Sequence, residues 1–128
     1  MESQSLDNIQ LISHIVTQMI EACDLISSWN ENVISIDDYL TSLDGMQKMA
    51  ASCMLIESIG EGVKKIERLF PELLYDKFPT TPWKEIMGLR NHIAHGYFNL
   101  DADIILDVVK NEIPPLKNTL EEMLSALQ

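Results

Sequence analysis

GMQKMAASCMLIESIGEGVKKIERL, residues 45–69, is the stretch from which the architecture can be read. Met46, Met49, Cys53, Ile56, Gly60 and Val63 recur at steps of three and four, which places them on one stripe of a helix. Leu55, Ile59, Ile66 and Leu69 widen that stripe, so the helix is apolar over much of its girth and belongs at the centre of a bundle. The spacing predicts the longest helix of the chain here, stopped by Pro71. Gly60 sits on the stripe, where glycine weakens a helix but lets another backbone approach closely. Glu57 and Glu61 stack one turn apart on its flank, with Lys64 and Lys65 one turn further on.

Towards the N-terminus, residues 6–28 predict a first helix. Its seam for a neighbour is Ile9, Ile12, Val16, Met19, Cys23 and Ile26, again at steps of three and four. His14 falls off that seam and reads as a surface residue. Ser27 to Asn32 is a polar connection, and Ile36 to Leu40 is a short turn of helix. Towards the C-terminus, Glu72 to Phe78 reads as a connector ending at Pro79 and Pro82. Thr81-Pro82-Trp83 then opens a helix, with Thr81 as N-cap and Pro82 in the first turn, where its missing N–H costs nothing. Ile86, Leu89, Ile93 and Tyr97 form the stripe of this helix over 82–97. Asp101 is the expected N-cap of a helix over Ala102–Lys110, and Pro114 and Pro115 open the last one, ending in Leu120, Met123, Leu124 and Leu127. No stretch alternates with a period of two. The expected fold is all-α, an antiparallel bundle of four main helices plus short helical segments, as a single domain over 1–128.

A length of 128 residues suits one core, and 46% hydrophobic content with five glycines and five prolines suits a folded, helix-rich chain. No basic leader precedes an apolar run, and no uncharged apolar run approaches the roughly 18 residues that span a bilayer. Cys23 and Cys53 lie in helical apolar patterns and read as buried, reduced thiols of a cytoplasmic protein.

The chemistry concentrates in Arg90-Asn91-His92-Ile93-Ala94-His95-Gly96-Tyr97, in a chain holding only three histidines. Arg90 lies about 20–60° from the stripe residues, so it must be paired, or face a wet crevice or a partner chain. His95 is roughly 140° further round and flanks the stripe, and Gly96 is a natural C′ residue that would re-aim His95 and Tyr97. One of Glu57 and Glu61 is the expected partner of a buried Arg90. A bland reading stays open, in which a structural arginine and two satisfied histidines simply end a helix.

Arg90-x4-His95-x-Tyr97, with Asn91 after the arginine and Pro82-Trp83 before it, resembles the HEPN superfamily of metal-independent ribonucleases. The likeness is to HepT toxins, which pair with MntA-type nucleotidyltransferase antitoxins. Ile59-Gly60-Glu61 and the pattern from Val108-Val109 to Leu116 are similar to that group too, so the resemblance covers most of residues 45–128. It implies a HEPN-like bundle and a homodimer with both motifs lining one cleft. It also implies Arg90 and His95 as catalytic residues, with Asn91, Tyr97 and Glu61 in support. In that group the tyrosine accepts AMP from the antitoxin, which makes Tyr97 the expected acceptor here.

The residue types suit such a reaction. RNA carries its own nucleophile, the 2′-hydroxyl, so an enzyme needs a proton acceptor and donor near neutrality and fixed donors for the phosphate. Histidine supplies the first and arginine the second. No glycine-rich phosphate loop or zinc-like Cys–His spacing appears. His92-x2-His95 has no further acidic or histidine ligand at a usual spacing, so neither metal nor cofactor is expected.

A net charge of −11 is awkward for an RNA-binding protein, because phosphate is repelled by a negative surface. Its distribution matters: residues 1–44 hold eight acids and no Lys or Arg, residues 45–100 hold seven bases against six acids, and residues 101–128 hold two bases against six acids. Only the middle third tolerates a nucleic acid, and the motif lies in it. The alternative function is a non-catalytic binding module, an acidic partner subunit of a nucleotidyltransferase in which the Arg–His–Tyr cluster recognises its partner or a nucleotide.

Overall fold

The computed structural model describes residues 2–93 and 99–128. Among these the chain is helical, in the order α1 (Glu2–Trp29), α2 (Ile36–Leu40), α3 (Leu43–Leu69), α4 (Pro71–Tyr75), α5 (Trp83–Ile93), α6 (Ala102–Asp107), a π-helical turn (Val108–Glu112) and α7 (Ile113–Leu127). The all-α bundle is as expected. α3 packs against α1, α2, α4, α5 and α6, and α1 is closed on its other side by α7. It is central but not the longest: α1 runs for 28 residues against 27 for α3.

The core helices bury most of the stripe their spacing defines, Met46 at the start of α3 being the exception, 48% exposed. Ile12, Val16, Cys23 and Ile26 of α1 have no accessible surface and meet Ile56, Ile59, Val63 and Ile66 of α3 and Leu120 and Met123 of α7 in one cluster. A fully buried aliphatic side chain of this kind contributes about 1.5–3 kcal/mol. Residues Leu6–Trp29 are apolar enough by composition to cross a membrane. Their fully buried stripe marks α1 as a core helix of the bundle. Burial also pushes the Cys23 thiol up to about 12, with the nearby Asp24 adding to the shift, so it is inert at neutral pH.

Asn30 follows Ile26 on the α1 seam, was expected in a polar connection, and is instead completely buried. Its amide donates to the Ile26 carbonyl and to Ser52 Oγ of α3, each at 2.8 Å. It accepts from Tyr39 Oη of α2 at 2.6 Å, and its own carbonyl accepts from Lys110 Nζ at 2.7 Å. One side chain and its carbonyl thus tie α1, α2, α3 and the π turn together. At the same end Gly45, in the first turn of α3, faces the Asp38 carbonyl so closely that an added Cβ would lie 1.8 Å from its oxygen.

The C-terminal third differs from expectation. Asp101 caps α6 as predicted, accepting from the Ile104 N–H at 3.1 Å. The two helices expected on either side of residue 111 are instead one continuous helical run over 102–127, with a π turn at its middle. Pro114 and Pro115 have no N–H to give the carbonyls of Lys110 and Asn111, so the ladder slips into a wider turn in which the Ile113 N–H reaches back to Val108.

Candidate active site

The site is built where α5 lies on α3. Trp83, almost wholly buried, donates its indole N–H to the carbonyls of Leu74 at 3.0 Å and Phe78 at 2.9 Å, which moors α5 to the α4 connector. The helix begins at Trp83, one residue later than a Thr81 cap implies: the Pro82 carbonyl accepts the first helical bond, from Ile86 at 3.0 Å, and that of Thr81 accepts from Trp83. Ile86 and Ile93 point into the core, and Leu89 packs against it.

Gly60 does what its place on the stripe implied. A Cβ added there would come within 3.2 Å of the Ile86 carbonyl oxygen and 3.6 Å of that of Met87, so α5 approaches the α3 backbone directly. One turn before Gly60 stands Glu57, and one turn after Ile86 stands Arg90. The close crossing brings the two together, with Arg90 Nε 3.3 Å from Glu57 Oε1. Of the two carboxylates open as partners, Glu57 holds the arginine, while Glu61 is met by Lys64 Nζ at 3.2 Å.

Contrary to the expectation of a buried arginine drawn from its angle on the stripe, Arg90 is exposed. Its side chain is 63% exposed and that of Glu57 39%. An arginine stem can start on an inward face and still carry its head past the neighbouring helix into water. An ion pair this open contributes about 0–1 kcal/mol to stability, so the fold does not depend on it. Arg90, Asn91, Glu57, Glu61 and Lys64 line a cleft of about 80 Å³ floored by Ile56, Gly60 and Ile86. Asn91 and His92 are both exposed on the last turn of α5. His95, Gly96 and Tyr97 lie outside the described residues. The Asp101 N–H donates to the Ile93 carbonyl at 2.8 Å, so the chain returns to the end of α5 just after the motif.

A larger cleft of about 330 Å³ lies between α3, α5 and the C-terminal helical run, lined mainly by aliphatic side chains such as Ile59, Leu89 and Leu116. Its one carboxylate, Glu112, has a raised pKa, chiefly from burial and then from Asp107 and Glu85. It holds neither an arginine nor a histidine, so the smaller cleft is the one equipped for phosphate. Among the described residues no three His, Cys, Asp or Glu side chains converge as metal ligands.

An all-α bundle with an arginine-bearing cleft on its fifth helix has relatives among known proteins. The model of the ribonuclease HepT-like family matches residues 7–123. A Methanocaldococcus jannaschii protein named provisionally as an RNase is 36% identical over 84 residues, 66% of this chain and 73% of its own length. The protein named probable ribonuclease HepT of Thermococcus cleftensis is 31% identical over 103 residues, 80% of this chain and 86% of its own. No solved structure matches significantly. The chain belongs to the ribonuclease HepT-like family. Its enzyme class is accordingly that of a HEPN-type endoribonuclease.

Proposed function

We propose that this ribonuclease cuts RNA without a metal, by attack of the 2′-hydroxyl on the adjacent phosphate, in a cleft shared by two copies of the chain. The observation that carries this reading is Arg90: a permanently charged guanidinium, largely exposed, held by a single carboxylate and flanked by Asn91, five residues before His95. Arg90 neutralises the non-bridging oxygens as the phosphorane forms. His95 moves the protons. One imidazole takes the proton of the 2′-hydroxyl, the P–O5′ bond breaks, and a second, protonated imidazole gives the leaving oxygen its proton. The products are a 2′,3′-cyclic phosphate and a 5′-hydroxyl. One copy supplies one His95, so acid and base require two, which is the chemical case for a homodimer joined along the motif helix. Asn91 orients the imidazole or holds phosphate, and Glu61 keeps Lys64 at the cleft edge.

The same reading makes the chain the cytoplasmic toxin of a toxin–antitoxin system. An MntA-type nucleotidyltransferase silences it by transferring AMP from ATP to Tyr97, placing phosphate charge and bulk beside Arg90.

The experiment is cleavage of labelled RNA by the purified chain in excess chelator, with the product ends identified. Full activity and cyclic phosphate ends are expected, and strict dependence on a divalent ion would overturn the mechanism. Sedimentation tests the dimer. Intact mass after incubation with the nucleotidyltransferase and ATP tests Tyr97: adducts of one AMP, absent in Tyr97→Phe, are expected. Silencing by the partner without a mass change would mean occlusion instead.

A further inference from the structure

We infer that Glu57 is a positioning residue for the reaction: it grips Arg90 at Nε and so aims the opposite, terminal edge of the guanidinium into the cleft. The inference rests on the assignment of Arg90 to the reacting phosphate. A guanidinium offers its donors along edges, and only one edge need face the phosphate for paired recognition. Glu57 Oε1 lies 3.3 Å from Arg90 Nε, the nitrogen nearest the stem, the terminal nitrogens being those assigned to the ligand.

A carboxylate beside a phosphate site is otherwise a liability, since it repels the substrate. Two acids line this cleft, and they are handled differently. Glu61 is paired with Lys64 on its own helix, i to i+3. Glu57 is paired across the helix–helix contact with Arg90 itself. The meeting depends on Gly60, because a side chain there would push the α5 backbone away from α3. Direct backbone contact therefore sets the height of Arg90 over α3, and Glu57 sets its rotation. The long arginine side chain, mostly in water, has no other partner among the described residues to choose one rotamer.

The test is steady-state cleavage of a fluorescently labelled mixed-sequence RNA by the full chain, comparing wild type, Glu57→Gln, Glu57→Asp and Arg90→Lys, and the double variant Glu57→Gln/Arg90→Lys. Misaimed catalytic groups lose on the order of 10- to 100-fold in rate. Glu57→Gln should lower kcat by about that much, with KM within roughly threefold and the thermal melt unchanged. Glu57→Asp, which keeps the charge on a shorter arm, should recover part of the loss. Lysine has no Nε edge to hold, so adding Glu57→Gln to Arg90→Lys should cost less than about threefold more, the non-additivity of residues that act as a unit. Glu57→Gln as fast as wild type, or faster, would mean that the carboxylate only repels RNA and would overturn the inference. So would an equal loss in the Arg90→Lys background. Normal cleavage by Arg90→Ala would instead remove the phosphate assignment beneath it.

Discussion

Ser52 and Glu57 stand five residues apart on α3, about 7.5 Å along the helix axis, and serve opposite kinds of polar contact. Ser52 ends a network in which Asn30, Tyr39 and the serine are all buried and each polar atom has a partner. Glu57, itself half-buried, ends a single ion pair whose arginine stands largely in water. The first network cannot lose a member cheaply, because a buried group left unpaired costs about 1–3 kcal/mol. The second adds little to stability and leaves a charged group free to be taken over by a ligand. Within one helix, burial separates the polar groups that hold the bundle together from those that open onto the candidate site.

Substitutions at the two places should therefore fail in different assays. Arg90→Ala and His95→Ala are each expected to lose on the order of 100-fold or more in RNA cleavage, the usual cost of removing a charge-stabilising or acid–base group. Arg90→Ala should keep its melting temperature within about 2 °C, given the exposure of the pair. If it proves as unstable as a core variant, the contrast drawn here fails.

Asn30→Leu should do the reverse. It strands the Tyr39 and Ser52 hydroxyls, and a loss of about 2–4 kcal/mol is expected in chemical denaturation. Cleavage per folded molecule should be unchanged, which a refolded-fraction assay can check.

The network also predicts an alkaline limit. Burial pushes the Tyr39 phenol from 10.0 up to about 12, which favours the neutral form in the folded state. Its contribution is fully present below pH 10 and is lost as pH rises through 12, once the folded phenol also ionises. The Cys23 thiol, raised from 9.0 to about 12, adds to the same limb from pH 9 upward. Melting temperature measured from pH 8 to 12 should fall across this window. Tyr39→Phe should be less stable at neutral pH by about 1 kcal/mol and fall less steeply. An unchanged slope would detach Tyr39 from the network. Smallest of all, Lys64→Ala removes an exposed pair one turn from Glu57. It should change stability by less than about 0.5 kcal/mol.

How far the sequence could be read follows from the same contrast. The seams at three and four steps announced α1, α3 and α5, and Gly60 announced the close crossing. The motif pointed to Arg90 and Asn91, which line one cleft, and its histidine and tyrosine lie outside the described residues. Asn30 was missed: the steps that run through Cys23 and Ile26 continue to it, but a polar residue before Glu31 and Asn32 reads as a loop. The merged C-terminal helices escaped because adjacent prolines usually start a helix, whereas here a π turn carries the helix through to them.

Helical class, the buried face of each helix and the chemistry-bearing motif were determined by the sequence itself, since periodicity fixes the direction in which each side chain leaves its own helix. Direction alone does not say what stands on that side. That Arg90 reaches past α3 into water, that Glu57 rather than Glu61 meets it, and that Asn30 is sealed among three elements were decided only by how closely the helices cross. Periodicity carries no information about that distance, and it separates a polar group sealed inside the protein from one left in the open cleft.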